Sequence, residues 1–377
     1  MTENPGILLT IAAFLLLLGP LVFVHELGHY LAGRWFGVKS EVFSIGFGRE
    51  LFGWTDRLGT RWKVAWLPLG GYVKFAGDMN AGSQPDPAWL ALPAAERAKT
   101  FQAKPLWQRA IIVAAGPLIN LALAVLILAG FAYLGGDRVT PPVVGGIVEN
   151  SAAARAGLQP GDRITAIDGR TVDRFDELVL YVTMRPAETV GVTIARGAAV
   201  QTLPLTLGQR LERDRFGNEY RIGSLGVTSG EQEVVPVSLL QAPLVGLRKT
   251  GAIIGMMWDT LGQIVTGRRS MEELGGPLRI AQVSGGALSI GWGDFIGLVA
   301  LISINLGFIN LLPVPMLDGG HLMFYAIEAV RRKPVGSQAQ EWAYRGGLAA
   351  ILALMLVVTI NDLGAFGVWR GLAGLIG

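Results

Sequence analysis

Apolar residues along this chain collect in a few long runs without charge, separated by stretches in which apolar and polar positions alternate. Gly6 to Val24 has no charged side chain over 19 positions. At about 1.5 Å per residue this nearly spans a hydrocarbon core of about 30 Å, and it predicts a first membrane-spanning helix. Only Thr2, Glu3 and Asn4 precede the run, with no Lys or Arg, so it is expected to be retained and not cleaved as a signal peptide. Ala110 to Gly136, uncharged for 27 residues, predicts a second span. Gly116-Pro117 should kink or locally thin it, and Asn120, its main polar group, should make a helix-to-helix hydrogen bond. Phe295 to Leu317, uncharged for 23 residues, predicts a third span. The shorter run Gly346 to Ile360 predicts a fourth, lengthened by Glu341 to Arg345 and by Asn361-Asp362.

Between the spans the period changes. In residues 37–104, aromatic and β-branched residues alternate with polar ones. Glu41 to Gly48 and Trp62 to Leu67 read as strands, and Pro68 to Lys74 closes a hairpin sheet. That sheet is either a solvated subdomain or one lying against the site the spans form. Gln84 to Ala103 reads as an exposed connection. Pro141 to Leu207 is soluble in character, with about five short strands. Within it Asn150 to Ile164 predicts a short helix ended by glycine and a turn into a strand, and Ile167-Asp168-Gly169-Arg170 a tight turn. Ser238 to Ser270 has a helical pattern, but its longest uncharged run, Thr250 to Trp258, is too short to span. It predicts an amphipathic interfacial helix with Met256, Met257 and Trp258 toward lipid, and Gly275 to Leu278 starts a second such piece.

Composition agrees with the pattern. With 377 residues, 51% hydrophobic content and a mean hydropathy of +0.44, the chain reads as a polytopic membrane protein. The 32 basic and 29 acidic residues form no compact basic stripe, which excludes nucleic acid as a partner. Without cysteine there is no disulfide, thiolate ligand or Cys nucleophile, so any metal must be held by His and carboxylates. The loop from Arg34 to Arg109 holds 11 Lys or Arg, and Arg331, Arg332, Lys333 and Arg345 fall in another loop. Both are expected on the cytoplasmic side, which turns the 141–207 region and both termini outward and brings His29 and Asp318 to one depth.

The chemistry is concentrated where the first run ends, at Phe23-Val24-His25-Glu26-Leu27-Gly28-His29-Tyr30, which holds two of the three histidines. His25 and His29 project from one helix face a turn apart, with Glu26 about 100° away. This is the HExxH arrangement, in which two imidazoles take zinc and the glutamate accepts a proton from water. A hydrolytic zinc needs a third protein ligand. Asp318 and His321 are the candidates; Asp318 is preferred because it directly follows the helix break that Pro313 and Pro315 impose, and a lone carboxylate at membrane depth needs a cation. His321 is then an interfacial residue or a support for a ligand.

Asn150 to Gly169 resembles the bacterial PDZ pattern SPAxxAGLxPGDxIxxIDG. The PDZ resemblance implies a groove for an extended chain end, with Pro142 to Ile147 as its rim and Gly145, Gly146 and Ile147 as substrate-binding residues. The whole chain resembles the site-2 proteases, intramembrane zinc metalloproteases, in particular the bacterial regulator-of-sigma-E protease type. His25 to His29, Ser44 to Gly48, Gly70 to Lys74, the PDZ core and Asn310 to Gly320 match in the family's order. One departure is that the best-known members carry two PDZ domains, and one is found here.

The resemblance implies a polytopic α-helical membrane protein: four transmembrane helices, a cytoplasmic-side membrane-associated β-hairpin sheet and one inserted periplasmic PDZ-like α+β domain. The corresponding divisions are 1–36, 37–105, 106–136, 137–210 (PDZ), 211–293 (linker and interfacial helix), 294–334 and 335–377. It implies Zn2+ held by His25, His29 and Asp318, and Glu26 as general acid/base. Asn310 would hold the substrate backbone or oxyanion, with the alternative that it bonds carbonyls freed by Pro313 and Pro315. Because a spanning substrate hides its carbonyls in its own helix, an edge strand along Trp62 to Leu67, with Val64 and Trp66, is expected to pair with the unwound segment. The implied substrates are single-pass membrane proteins of the anti-sigma-factor type, already trimmed outside, and remnant signal peptides, within a bacterial inner membrane. A scaffold with an inactive metal site and a metal transporter are the other classes; no ligand is missing and repeated halves are absent, which disfavours each.

Overall fold

The computed structural model describes residues 6–78, 91–213, 219–266 and 275–365. In chain order the helices are α1 (Ile7–Trp35), α2 (Ala94–Arg97), α3 (Leu106–Gly135), α4 (Ala152–Arg155), α5 (Phe175–Thr183), α6 (Ala242–Val265), α7 (Pro277–Ile290), α8 (Trp292–Leu311), α9 (Asp318–Arg331) and α10 (Ser337–Ala365). The strands are β1 (Ser40–Thr55), β2 (Arg61–Phe75), β3 (Asp137–Val139), β4 (Val144–Ile147), β5 (Arg163–Ile167), β6 (Arg170–Thr171), β7 (Thr189–Arg196), β8 (Ala199–Thr206), β9 (Gly208–Arg213), β10 (Glu219–Ser224), β11 (Val227–Ser229) and β12 (Glu233–Val235). They divide into a unit of residues 1–128, 246–258 and 272–377 and a unit of residues 129–245 and 259–271.

Among the described residues, four helices are long and apolar enough to cross a membrane: α1, α3, α8 and most of α10. The series Ala13, Leu17 and Leu21, each four residues on, is fully buried against Phe295, and the same spacing continues into His25 and His29. Helix α7 packs along α1 through Ile280 and Leu288, and its N-terminal amides at Gly276 and Arg279 are capped by Asp362 of α10. The third span is shorter than its uncharged run. Helix α8 stops at Leu311, and the backbone stays open until α9 begins at Asp318, because Pro313 and Pro315 can donate no helical hydrogen bond. Of the residues expected to face lipid on α6, Met257 instead packs with Ile253 and Ile254 on Ala124, Ala300 and Ile304, while Trp258 meets Phe308 edge-on. Met256 and Trp258 remain about half exposed, so one side of this charge-interrupted 24-residue helix is buried in protein and the other is not.

The β1–β2 sheet packs on α1 and is not a solvated subdomain. Tyr30 of α1 touches the stacked Phe43–Trp62 pair, and Val73 and Phe75 complete the buried cluster. Both strands are longer than expected and bent. Phe43 pairs with both Val73 and Trp62, Ile45 with both Gly71 and Val64, and Trp62 again with Trp54. The segments therefore lie in the order 52–55, 61–64, 40–45, 71–75, so that Trp62 to Val64 is interior and 71–75 is an edge. Of the expected connection at 84–103, residues 84–90 lie outside the described residues, as do Arg268, Arg269 and Ser270 of the expected interfacial helix.

The second unit has the four-stranded order β6-β5-β7-β8, with α4 and α5 packed on it around Ile164, Ile167, Leu178, Val192 and Ile194. Ser151 caps α4 by accepting from the Ala154 amide, Gly157 leaves it with positive φ, and Asp168-Gly169, both at positive φ, turn β5 into β6. The unit continues beyond residue 210, where a linker was expected. Strand β11 pairs with β4, β12 pairs with β3, and Leu225 is buried in the core. Three-residue strands whose partners lie some 80–100 positions earlier leave no periodic signal.

Candidate metal centre and active site

Five helices, α1, α3, α8, α9 and α10, and the sheet edge line one cavity of about 550 Å3 in the first unit. Its walls include His25, Glu26 and His29 from α1, Gly70 to Val73 from the sheet edge, Asn310 from α8, and Asp318 and His321 from α9. Leu348, Ile351, Leu352 and Met355 of α10 close it with an apolar side.

His25, His29 and Asp318 converge. The Nε2 atoms of the two histidines are 3.3 Å apart, and Asp318 Oδ2 lies 3.2 Å from His25 Nε2 and 3.5 Å from His29 Nε2. Ligands held at about 2.0–2.1 Å around a tetrahedral zinc stand about 3.3–3.4 Å from one another, so the trio fits the ion. The far sides of both rings fit it as well. His29 Nδ1 lies 2.9 Å from the Ile112 carbonyl, which can only accept, and this leaves Nε2 as the free lone pair. His25 Nδ1 lies 3.2 Å from the side-chain amide of buried Asn120, whose Oδ1 as placed has no partner. Turned by 180°, that amide offers its oxygen to the Nδ1–H that a neutral, Nε2-ligating imidazole carries.

The local sequence explains the convergence. Gly116 lets α3 lie against the His29 ring, since a Cβ there would stand 2.1 Å from Nε2. Gly28 lets α1 approach the Ala115 carbonyl in the same way. Pro117 removes the amide that would bond Val113 O, loosening the turn whose neighbouring carbonyl, Ile112 O, takes His29. Asp318 occupies the first turn of α9, where the helix dipole favours a carboxylate. Gly319 and Gly320 allow that turn to close on Leu312 O and Val314 O, and Met316 adopts φ +82° to reach it.

Glu26 is buried beside the two histidines, with the Val73 backbone facing its carboxylate and Gly71 packed against its side chain. Asn310 lines the cavity and makes no side-chain hydrogen bond among the described residues, so the carbonyls freed by Pro313 and Pro315 are not its partners. His321 lies in the cavity wall, its Nδ1 3.1 Å from the Tyr344 hydroxyl, and outside the ligand trio. Val64 and Trp66 are not among the residues lining the cavity; the edge beside Glu26 is 70–73, because β2 folds back across β1. Gly145, Gly146 and Ile147 lie in β4, which β11 covers on one side, while Val144 is bonded on the other to Gly161 and Asp162. The edge of these three residues that faces β11 is therefore occupied by a strand. Asn120, Gly116 and the 70–73 edge were the residues that spacing could not connect to the site, since each acts through a partner far away in sequence.

Residues 13–354 match the profile of peptidase family M50. A protein of Agrobacterium fabrum with a provisional zinc-metalloprotease name, Atu1380, is 47% identical over 358 residues, covering 94% of this chain and 95% of that one. Metalloprotease MmpA of Caulobacter vibrioides is 36% identical over 397 residues, covering 98% of this chain and 99% of that one. Among solved structures, the PDZ domain of the SdrC-like protein Lmo2051 from Listeria monocytogenes aligns with 23% of this chain and 84% of its own, at 24% identity and a TM-score of 0.19. With the HExxH pair, its distant aspartate and a match along nearly the whole length, the chain belongs to peptidase family M50, the site-2 proteases, and is a zinc metalloprotease.

Proposed function

We propose that His25, His29 and Asp318 hold the zinc and that Glu26 and Asn310 carry out hydrolysis of a peptide bond in or near the transmembrane segment of a single-pass membrane protein. The observation that carries this reading is the meeting of three ligand atoms, a buried glutamate and an uncommitted amide in one cavity among helices long enough to span a bilayer. Held by these three residues, zinc would supply a water of pKa about 7 and a Lewis acid for the scissile carbonyl. Glu26 takes the proton from the attacking water on its carboxylate and returns it to the leaving amine. The Asn310 amide donates a hydrogen bond where negative charge grows on the carbonyl oxygen. Ile112 O and Asn120 hold the two imidazoles in orientation.

A spanning substrate must unwind before any of its carbonyls is accessible. The edge at residues 70–73 is the element placed to receive the unwound segment, since its outward backbone groups can replace the hydrogen bonds of the substrate helix. In the second unit, the chain-end groove is assigned to β11 and the loop before it. The amides of Leu225 and Gly226 donate to no acceptor among the described residues and can cup a carboxylate. Substrates of the anti-sigma-factor type, trimmed outside the membrane, suit such a reader, with the second unit and both termini on the periplasmic side of a bacterial inner membrane.

The test is cleavage of a tagged single-span substrate by purified protein. Glu26→Gln should keep stoichiometric zinc and lose cleavage. Wild type that binds the substrate with full zinc but never cuts it would instead indicate a scaffold.

A further inference from the structure

A second cavity, of about 330 Å3, lies at the C-terminal end of α1. It is lined by Arg34, Gly37, Val38, Lys39, Leu58, Glu96 and Lys99. Lys104 adds a fourth cation at its margin, its Nζ 3.9 Å from where a Cβ on Gly37 would sit. The one carboxylate in the lining, Glu96, is already paired with Lys99 at 3.1 Å. Neither Arg34 nor Lys39 makes a side-chain hydrogen bond or ion pair among the described residues. Asp56 feels the Arg34 charge, but its oxygens are taken by the amides of Leu58 and Thr60 and by the Trp62 indole. The cavity therefore holds an excess of positive charge and unused donors, with a guanidinium that can grip two oxygens of one phosphate.

Its surroundings identify the source of the phosphate. The cavity lies where α1, long and apolar enough to span, ends and α3 begins. Leu31 and Trp35 share one exposed face of α1, a turn apart, at 50% and 85% exposure. Phe36 stacks on Trp35 and meets Trp107 of α3 edge-on, and Trp107 is itself 58% exposed. Indole rings at a span's end occupy the headgroup level of a bilayer, and basic clusters beside them attract anionic lipid. A soluble phosphate has no use for the apolar part of this surface.

We propose that this cavity binds the phosphodiester of an anionic phospholipid, with Arg34 and Lys39 on the phosphate and the acyl chains over Leu31, Trp35 and Trp107. The site is separate from the zinc-binding cavity and its occupancy does not depend on the hydrolytic reading. A lipid held at the junction of α1 and α3 would fix the helix ends nearest to His29 and its partner carbonyl.

The test uses the full chain purified in detergent and titrated with phosphatidylglycerol or phosphatidylcholine, with retained lipid counted by native mass spectrometry. Wild type should retain phosphatidylglycerol in preference. R34Q/K39Q should weaken that retention about tenfold or more, whereas R331Q/R332Q, which removes two exposed charges at the end of α9, should leave it unchanged. W35S/W107S should lose lipid while keeping every charge, and zinc content checks that each variant is folded. Equal retention in R34Q/K39Q and wild type, equal loss in both charge variants, no preference between the two lipids, or displacement by millimolar inorganic phosphate would each overturn the proposal.

Discussion

Gly116 lies directly against the His29 ring: a Cβ built on this glycine would stand 2.1 Å from Nε2 and 2.5 Å from Cε1. The close approach lets Ile112, one turn earlier on α3, accept from His29 Nδ1. Gly116→Ala improves helix propensity yet must displace the ring or the helix. Zinc affinity should fall by about 10–100-fold, the range expected when a ligand's orientation is lost, with activity falling in parallel. Zinc analysis after dialysis against graded chelator checks this. Wild-type retention by the alanine variant would mean that α3 does not set the ligand.

Asn120 is the corresponding support for His25. Its side chain is fully buried and its backbone carbonyl accepts from Ser303 of α8, so the residue joins α1, α3 and α8 at the level of the site. Asn120→Leu leaves His25 Nδ1 without its partner, and zinc affinity should drop by about 10-fold or more. Asn120→Asp, which still offers an acceptor, should recover much of that loss. The pair is to be compared by chelator competition; loss of zinc in both variants alike would point to packing instead of a hydrogen bond.

The chemistry was legible in the sequence where it is local and hidden where it is not. His25, Glu26 and His29 are fixed relative to one another by helical period alone, and Asp318 announced itself because two prolines stop the helix just ahead of it. Asn120 could be seen as a polar residue needing a partner, but nothing in its spacing named His25, 95 positions earlier. Val64 and Trp66 were expected at the edge because a hairpin is ordinarily two flat strands; the fold-back of β2 around β1 puts 61–64 inside and 71–75 outside. Likewise β11 is too short for an alternating pattern, so its pairing with β4, and with it the true extent of the second unit, emerges only in three dimensions.

Asn310 has no structural hydrogen bond to lose among the described residues, so its substitution separates catalysis from folding. Asn310→Ala should retain zinc and the fold, and reduce kcat by about 100- to 1,000-fold, the range for removal of one oxyanion donor, with a smaller change in KM. Asn310→Asp, which repels the developing charge, should be at least as impaired. An alanine variant that loses KM alone would make Asn310 a ground-state binding residue.

The second unit carries its own pH dependence. Asp162, buried in the turn after α4, accepts from Arg196 at 2.7 Å through both Nε and Nη2 and from the Gln159 amide at 2.8 Å. The Arg196 guanidinium, aided by that amide, holds the Asp162 carboxyl below its ordinary range. A carboxyl depressed in the folded state stabilises the fold above the unfolded value, about 3.9, and that contribution is lost as pH falls through the lower folded value. Arg196→Gln removes it at neutral pH, and also removes the Nη2 bond to the Gly157 carbonyl at 2.9 Å, whose loss is the same at every pH. Hydrogen exchange of residues 129–245 in the full chain should therefore show wild type better protected than the variant at pH 7. The difference should narrow as pH falls below about 4. A difference that stays constant with pH would assign the effect to the Arg196 stem and its bond to the Gly157 carbonyl and not to the charge pair.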